Sequence, residues 1–367
     1  MDEAKKLDVQ IDEKFAQLKK EKLVLENNLI QLKEERTQLE EKQKSVTQKG
    51  RSVLVSQLQE QYTGVAITQA TQDNINALSK DTAFTITTGH QLNLFSGPMY
   101  YIYKILSVIN LTEQLAKKYP ENSFVPVFWM ATEDHDFEEI NYFNFKGKKV
   151  TWDRPDGGAV GRFSLDGIQE VFTSFSKQLG DSKNAVFLSE LFKRAYVSHT
   201  SLAEATRYIA NELFKMYGLV ILDADDQRLK NIFAPIMKDE LLHKTSLKAV
   251  SKTIINLEKE YKVQVNPREI NLFYLQNNSR ERIIRENDGF QLGNNLVSKE
   301  QLLKIFEFVL RSQLNIGKMA FYTCDEEWQC SLRYGLDIRF DEDETAKQIL
   351  LFKDVVELSD EKHPCLE

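Results

Sequence analysis

The feature that most constrains the fold is a series of three short apolar runs, each followed by a helical pattern. They are residues 84–88 (FTITT), residues 124–130 (FVPVFWM) and residues 218–223 (GLVILD). Their length and their content of β-branched and aromatic residues indicate buried strands. Because strands that alternate with helices form a parallel sheet with right-handed crossovers, the sequence predicts an α/β fold with a Rossmann-like core.

Two further segments modify this core. Residues 1–48 contain no Gly or Pro and are rich in Glu, Lys, Gln and Leu, which predicts one continuous helix. Apolar residues recur in it at every seventh position: Ala4, Ile11, Leu18, Leu25, Leu32, Leu39 and Val46. This spacing favours a coiled-coil arm that could pair two chains in a homodimer, with a solvated helical arm as the alternative. Residues 143–170 alternate and turn often, which predicts an inserted β-hairpin.

We therefore expect three regions in the chain. Residues 1–49 form the helical coiled-coil arm, and residues 50–300 form the Rossmann-like core, which contains the insertion near 143–170. Residues 301–367 form a C-terminal segment that matches no pattern we can assign.

The composition excludes several classes of function. A formal net charge of −7 gives no general attraction to nucleic acid or to anionic lipid. No apolar stretch reaches the roughly 18 residues of a transmembrane helix, and the N-terminus lacks the apolar core of a signal peptide. The three cysteines contain no C-x-x-C pair, so we expect reduced thiols and no metal site. A cytoplasmic protein with neither membrane nor nucleic-acid partners is expected.

A polar turn and a helix start follow the first predicted strand. This cluster consists of Thr88, Gly89, His90, Gln91, Ser96 and Gly97. Its glycines permit close approach of a ligand to the backbone, and a helix N-terminus attracts anions. Since the imidazole of His90 can add a charge or a donor, the cluster predicts a phosphate or carboxylate site at the edge where open parallel sheets bind ligands.

The second strand ends in four ionisable residues: Glu133, Asp134, His135 and Asp136. Three carboxylates around an imidazole could hold a divalent metal, bind an amine, or tune the histidine as an acid or base. Capping of the next helix is the alternative interpretation. The position directly after a buried strand favours a function.

Two weaker clusters complete the candidate site. Asp223 and Asp225 end the third strand, where they could contact a ligand or cap the next helix. Arg268 and Asn271 are predicted on a loop beside an apolar strand. Arginine suits bidentate recognition of a carboxylate or phosphate, and a surface ion pair is the alternative.

Four segments together resemble the cysteine ligase family of bacillithiol biosynthesis. They are 87–104 (TTGHQLNLFSGPMYYIYK), 125–141 (VPVFWMATEDHDFEEIN), 218–226 (GLVILDADD) and 264–274 (QVNPREINLFY). The likeness spans about 200–230 residues in the middle of the chain, and both ends depart from the family pattern. The resemblance implies a Rossmann core with insertions, a coiled coil that mediates dimers, and an enzyme that joins cysteine to glucosaminyl-malate through an amide bond. The departing ends are compatible with a truncated or rearranged gene product and equally with a diverged paralogue.

The resemblance also implies roles for the candidate residues. Amide formation from an unactivated carboxylate implies ATP with Mg²⁺, and His90 would stabilise the phosphates. Glu133, Asp134 and Asp136 would take the amine of a substrate or Mg²⁺, and His135 would be the general base for the glucosamine amine. Two other functions stay open: a non-catalytic coiled-coil interaction protein that binds a nucleotide, and a nucleotidylyltransferase acting on a small phosphorylated substrate.

Overall fold

The computed structural model describes residues 2–155, 157–276, 279–303 and 316–319. The contacts divide the chain into two units, one ending at Thr47 and the next beginning at Gln48. The first unit is a 44-residue helix, α1 (Asp2–Ser45), as the absence of Gly and Pro predicted. Its heptad residues Leu18 and Leu25 are 50% and 68% exposed in the single chain. Pairing of two chains through this helix stays a prediction.

The second unit contains the predicted parallel sheet. Two helices precede it, α2 (Gln48–Gln61) and α3 (Gln69–Ala77). The strands are β1 (Ala83–His90), β2 (Ser123–Met130) and β5 (Val220–Asp223). They are parallel, with β2 in the centre, and α4 (Met99–Lys118) connects β1 to β2. The α/β fold with a Rossmann-like sheet is therefore confirmed.

An insertion separates β2 from β5. It begins with α5 (Phe137–Ile140) and the antiparallel hairpin β3 (Tyr142–Phe145) and β4 (Lys148–Thr151), so the predicted hairpin is present. A 3-10 turn at Val160–Arg162 follows. Three helices complete the insertion: α6 (Ile168–Leu179), α7 (Lys183–Val197) and α8 (Leu202–Phe214). The insertion shares one apolar core with the sheet, in which Trp152 and Phe128 are both fully buried.

A second, antiparallel sheet follows two helices, α9 (Gln227–His243) and α10 (Thr245–Leu257). Its strands are β6 (Leu272–Gln276), β7 (Ser279–Glu286), β8 (Gly289–Leu292), β9 (Asn295–Ser298) and β10 (Ile316–Met319), in the order β10-β6-β7-β8-β9. It has its own apolar cluster, in which Met237 and Leu241 of α9 pack with Ile283 and Phe290.

This sheet was not predicted from the sequence, where residues 50–300 were expected to form the Rossmann-like core without further division. The missed signal is the turn at Asn287, which has a positive φ of 51° and is followed by Asp288 and Gly289. An Asn-Asp-Gly sequence between alternating residues is a hairpin signal, because Asn and Gly tolerate the left-handed region.

Two predictions concern residues near the C-terminus. Of the predicted segment 301–367, residues 301–303 and 316–319 are described, and all three cysteines lie outside the described residues.

Among the helices that the structure describes, none has the length and apolar content needed to cross a membrane.

Candidate functional site

The turns after β1 and β2 lie against each other. β1 and β2 pair in parallel along their whole length, from Ala83 to His90 in β1, so both strands end at the same edge of the sheet. The side-chain amide of Gln91 donates a hydrogen bond to Oδ2 of Asp134 at 2.5 Å. Both side chains are buried, with residue exposures of 4% and 5%. The histidine-bearing turn and the carboxylate-rich turn, far apart in sequence, therefore meet at one edge of the sheet.

His90 ends β1 beside two aromatic rings. Its Nδ1 lies 3.1 Å from the backbone oxygen of Gln91, and the imidazole is half-buried. The ring centroids of Tyr100 and Tyr101, in the first turns of α4, lie 6.0 and 5.6 Å from the imidazole centroid. The imidazole therefore stands beside the N-terminus of α4, where the helix dipole is positive.

The link between β1 and α4 requires left-handed backbone. Ser96 and Gly97 have φ values of 69° and 57°. A Cβ at Gly97 would lie 2.4 Å from Cβ of Asn93, closer than side-chain atoms can approach. Glycine is thus required at this position for two reasons, conformation and space. These constraints set where α4 begins relative to His90.

A buried ion network joins the turn after β2 to the turn after β5. The ammonium of Lys230, on α9, lies 3.0 Å from Oε1 of Glu133 and 2.5 Å from Oδ1 of Asp225. The guanidinium of Arg162 makes a bidentate contact with Asp225, at 2.6 and 2.8 Å. The side chains of Lys230, Glu133 and Asp225 are 6%, 2% and 7% exposed. Two carboxylates predicted to bind ligand are therefore paired with cations of the chain itself.

The electrostatics of this network follow from its pairing. Burial alone would raise the pKa of Asp225, but the hydrogen bonds and charges of Arg162 and Lys230 outweigh it and lower that pKa. Burial would likewise lower the pKa of Lys230, but Glu133 and Asp225 outweigh it and raise that pKa. Both groups are thus held in their charged forms. Lys230 and Arg162 were not predicted from the sequence, because a lysine in the first turn of a helix and an arginine in a glycine-rich loop carry no local signal of burial.

Asp223 is a different kind of carboxyl group. Its Oδ1 accepts hydrogen bonds from the hydroxyl of Thr132 at 2.5 Å and from the backbone N–H of Asp225 at 2.9 Å. Burial raises the pKa of Asp223, and the nearby charge of Arg207 does not fully offset this effect. Asp223 therefore ties the ends of β2 and β5 together, and its burial favours the protonated form of its carboxyl group.

The insertion contacts the turn after β2 through the Val160–Arg162 turn. The backbone N–H of Gly161 donates to the oxygen of Thr132 at 2.8 Å, and that of Val160 donates to the oxygen of Asp134 at 2.7 Å. A Cβ at Gly161 would lie 2.5 Å from Cβ of Thr132. This close approach of two backbones brings the next residue, Arg162, within reach of Asp225.

His135 is contacted by a residue of the antiparallel sheet. Nη1 of Arg280, on β7, lies 2.8 Å from Nδ1 of His135 and 3.6 Å from Oδ1 of Asp134. The Arg280 side chain is 2% exposed and its guanidinium stacks 3.9 Å from the ring centroid of Phe273. The His135 side chain is 55% exposed. The second sheet therefore contributes a buried cation to the candidate site.

The other predicted residues occupy less central positions. Thr88 and Gly89 lie within β1, opposite residues 128 and 129 of β2. Asp136 is exposed and caps α5, which is the alternative that the sequence analysis left open. Arg268 is exposed on the loop between α10 and β6, and the backbone N–H of Asn271 donates to Oε1 of Glu240 at 3.0 Å. These last two lie beside the antiparallel sheet.

The donor set of this edge fits an anionic ligand. The imidazole of His90 lies beside the N-terminus of α4, and the guanidinium of Arg280 lies beside His135, so this edge carries donors of the kind that bind anions. Within the described part of the chain, no group of three or more His, Cys, Asp or Glu side chains could hold a metal ion. Mg²⁺ that arrives with a nucleotide needs few protein ligands, since phosphates and water supply most of its coordination.

Comparisons with known proteins give a consistent result. The profile of the family described as "Bacillithiol biosynthesis BshC, N-terminal Rossmann-like domain" matches residues 8–308. This range exceeds the 200–230 residues inferred from the motifs and includes most of α1. The prediction that the N-terminal arm departs from the family was therefore wrong.

Individual relatives are named "Putative cysteine ligase BshC". The protein of Flavobacterium johnsoniae is 52% identical over 291 residues, which are 79% of this chain and 55% of that protein. The protein of Flavobacterium psychrophilum is 53% identical over 259 residues, 70% of this chain and 49% of that protein. That of Staphylococcus saprophyticus is 30% identical over 282 residues, 72% of this chain and 52% of that protein. The chain spans about half the length of these relatives.

Proposed function

The chain belongs to the bacillithiol biosynthesis BshC family, and from that membership we propose that it acts in the ATP-dependent joining of cysteine to glucosaminyl-malate. The observation that carries the proposal is the contact between Gln91 and Asp134, at 2.5 Å. Through it, the turn bearing His90 and the turn bearing His135 share one edge of the sheet. Open parallel sheets bind their ligands at this edge.

The proposed roles follow from which side chains are paired. Bound ATP with Mg²⁺ would supply activation of the carboxylate. His90, beside the N-terminus of α4, would stabilise negative oxygens of the nucleotide. Asp134 accepts from Gln91 and from the backbone N–H of His135, so it would orient both turns around the substrates. Glu133 would position the site through Lys230.

The test is an assay on the full chain. Purified protein receives cysteine, glucosaminyl-malate and Mg-ATP, and bacillithiol is measured by mass spectrometry. We expect product from wild type and a loss of about 100-fold for His90→Ala, the usual cost of removing a group that stabilises developing charge. His243→Ala is the matched control, because this imidazole is exposed in the last turn of α9.

Three outcomes would contradict the proposal. An unchanged rate for His90→Ala would exclude the role given to this imidazole. Binding of ATP without its consumption, in the presence of all substrates, would favour a non-catalytic interaction protein. Release of pyrophosphate with a sugar phosphate and no amino acid would favour a nucleotidylyltransferase.

A further inference from the structure

The four described histidines differ in what their Nδ1 atoms face. Three of them face an oxygen acceptor: the Gln91 carbonyl for His90 at 3.1 Å, the Ala195 carbonyl for His199 at 3.0 Å, and the Asp239 carboxylate for His243 at 2.8 Å. The shortest contact of His135 Nδ1 is instead with a guanidinium nitrogen, Nη1 of Arg280, at 2.8 Å. Since an arginine side chain has donors and no acceptor, this contact requires Nδ1 of His135 to accept.

A competing partner of Nδ1 is farther away. Oδ1 of Asp134 lies 3.3 Å from Nδ1 and would require a proton on that nitrogen. The same oxygen already accepts the backbone N–H of His135 at 2.8 Å. Hydrogen bonds to nitrogen centre near 2.9–3.0 Å and weaken with length, so the contact with Arg280 decides the tautomer. A neutral imidazole with an accepting Nδ1 carries its proton on Nε2.

The surroundings hold this arrangement in place. Arg280 is 2% exposed at its side chain and stacks on Phe273, so its guanidinium has little freedom to turn away. Its Nη1 also lies 3.6 Å from Oδ1 of Asp134, which attracts the guanidinium towards the turn after β2. His135 itself is 55% exposed. Its inner nitrogen is thus engaged, while the imidazole remains accessible to a ligand.

We propose that Arg280 is a positioning residue that holds His135 as an Nε2–H donor to an anionic oxygen of the substrate or nucleotide. In this role His135 binds a carboxylate or phosphate oxygen. It does not deprotonate the attacking amine, which is the role that the family resemblance implied. The ligand class rests on the proposed function, whereas the tautomer rests on the contact with Arg280 alone. The two parts can therefore be tested separately.

The tautomer is read directly by NMR. The full chain, labelled with ¹⁵N-histidine, is observed in long-range ¹H–¹⁵N spectra at about pH 8.5, two units above the ordinary imidazole pKa of about 6.5. We expect a bare Nδ1 and a protonated Nε2 for His135, with the His135→Gln spectrum assigning its signals. In Arg280→Met, Oδ1 of Asp134 becomes the nearest partner of Nδ1, so the pattern shifts towards a protonated Nδ1.

Arg282→Met is the matched control. This arginine lies on the same strand, and its guanidinium is 5.5 Å from the same Phe273 ring. Its removal should leave the His135 pattern unchanged. A protonated Nδ1 in wild type would overturn the proposal, and so would an Arg280→Met spectrum that matches wild type.

The ligand class is tested by calorimetric titration with Mg-ATP and, separately, with glucosaminyl-malate. A glutamine amide can donate a hydrogen bond but cannot act as a base. We therefore expect His135→Gln to bind within about 3-fold of wild type and His135→Ala to bind at least about 10-fold more weakly, the value of a hydrogen bond to a charged group. Weakening for Mg-ATP alone identifies a phosphate oxygen, and weakening for glucosaminyl-malate alone identifies a carboxylate oxygen.

Two results would overturn this assignment. His135→Ala could bind both ligands as tightly as wild type, or His135→Gln could be as weak as His135→Ala. Wild type that binds neither ligand would overturn the ligand class together with the proposed function. The NMR spectrum would still decide the role of Arg280 in that case.

Discussion

Replacement of Lys230 by Met should destabilise the protein more than any surface change on the same helix. The ammonium pairs with Glu133 at 3.0 Å and with Asp225 at 2.5 Å, and it is 6% exposed. In the variant Asp225 still forms an ion pair with Arg162, but Glu133, whose side chain is 2% exposed, loses the buried cation that pairs with it. Removing one partner of a buried ion pair costs about 3–5 kcal/mol, because the remaining charge stays desolvated. We expect a loss of that size.

The assay is urea unfolding followed by tryptophan fluorescence. Lys238→Met, an exposed lysine of the same helix, is the control and should change the free energy of unfolding by less than about 0.5 kcal/mol. Adding Glu133→Gln to Lys230→Met should restore about 1–3 kcal/mol, since the uncompensated charge is then removed. A loss below about 1 kcal/mol for Lys230→Met would refute the reasoning. So would a double variant no more stable than Lys230→Met alone.

Four further predictions concern separate parts of the chain. Burial raises the pKa of Asp223 in the folded protein above its ordinary value of 3.8. The contribution of this group to the stability of the folded state is therefore fully present below pH 3.8 and is lost as pH rises through the folded pKa. Asp223→Asn should therefore gain stability relative to wild type as pH rises above about 4, and a constant difference across denaturation curves from pH 4 to 8 would contradict this. Gly161→Ala should lower the melting temperature, because its Cβ would lie 2.5 Å from a side-chain carbon of Thr132; an unchanged melting curve would show that the backbones can separate. Glu240→Ala should lose about 2–4 kcal/mol in urea unfolding, since this buried carboxylate accepts from the backbone N–H groups that begin α10 and precede β6; a loss under 1 kcal/mol would show that water replaces it. If α1 pairs two chains, Leu18→Lys with Leu25→Lys should convert a dimer to a monomer in sedimentation, and an unchanged mass would exclude this stripe as the interface.

Parts of the fold with strong local signals were predicted from the sequence. The runs at 84–88 and 124–130 became the buried strands β1 and β2, because β-branched and aromatic residues suit a sheet that is covered on both faces. The helix start expected after the first polar turn is also present: α4 begins at Met99, directly after Pro98, and proline is compatible with a helix N-terminus. The polar turns after both strands were also expected at one edge, and the contact of Gln91 with Asp134 places them there.

The pairing of charges was not predictable in the same way. Glu133 and Asp225 were expected to face ligand, whereas each lies against Lys230. Arg280 lies in a strand of alternating polar residues, SRERIIRE, which suggests a solvated edge, yet its side chain is buried beside His135. Arg280 and His135 are 145 residues apart, and Arg162 and Asp225 are 63 apart. Local periodicity in the sequence gives no information about which of these remote residues come into contact.

The sequence by itself determined that the central sheet is parallel, that its strands alternate with helices, the edge at which its polar turns collect, and the family of the chain. These properties follow from residue preferences and motif spacing over a few residues, which are local quantities. Only the tertiary structure decided which carboxylates are neutralised internally and which nitrogen of His135 faces the buried guanidinium. Those outcomes depend on burial and on distances between segments remote in sequence, where a change of about 1 Å separates a charge that is paired from one that is free to bind.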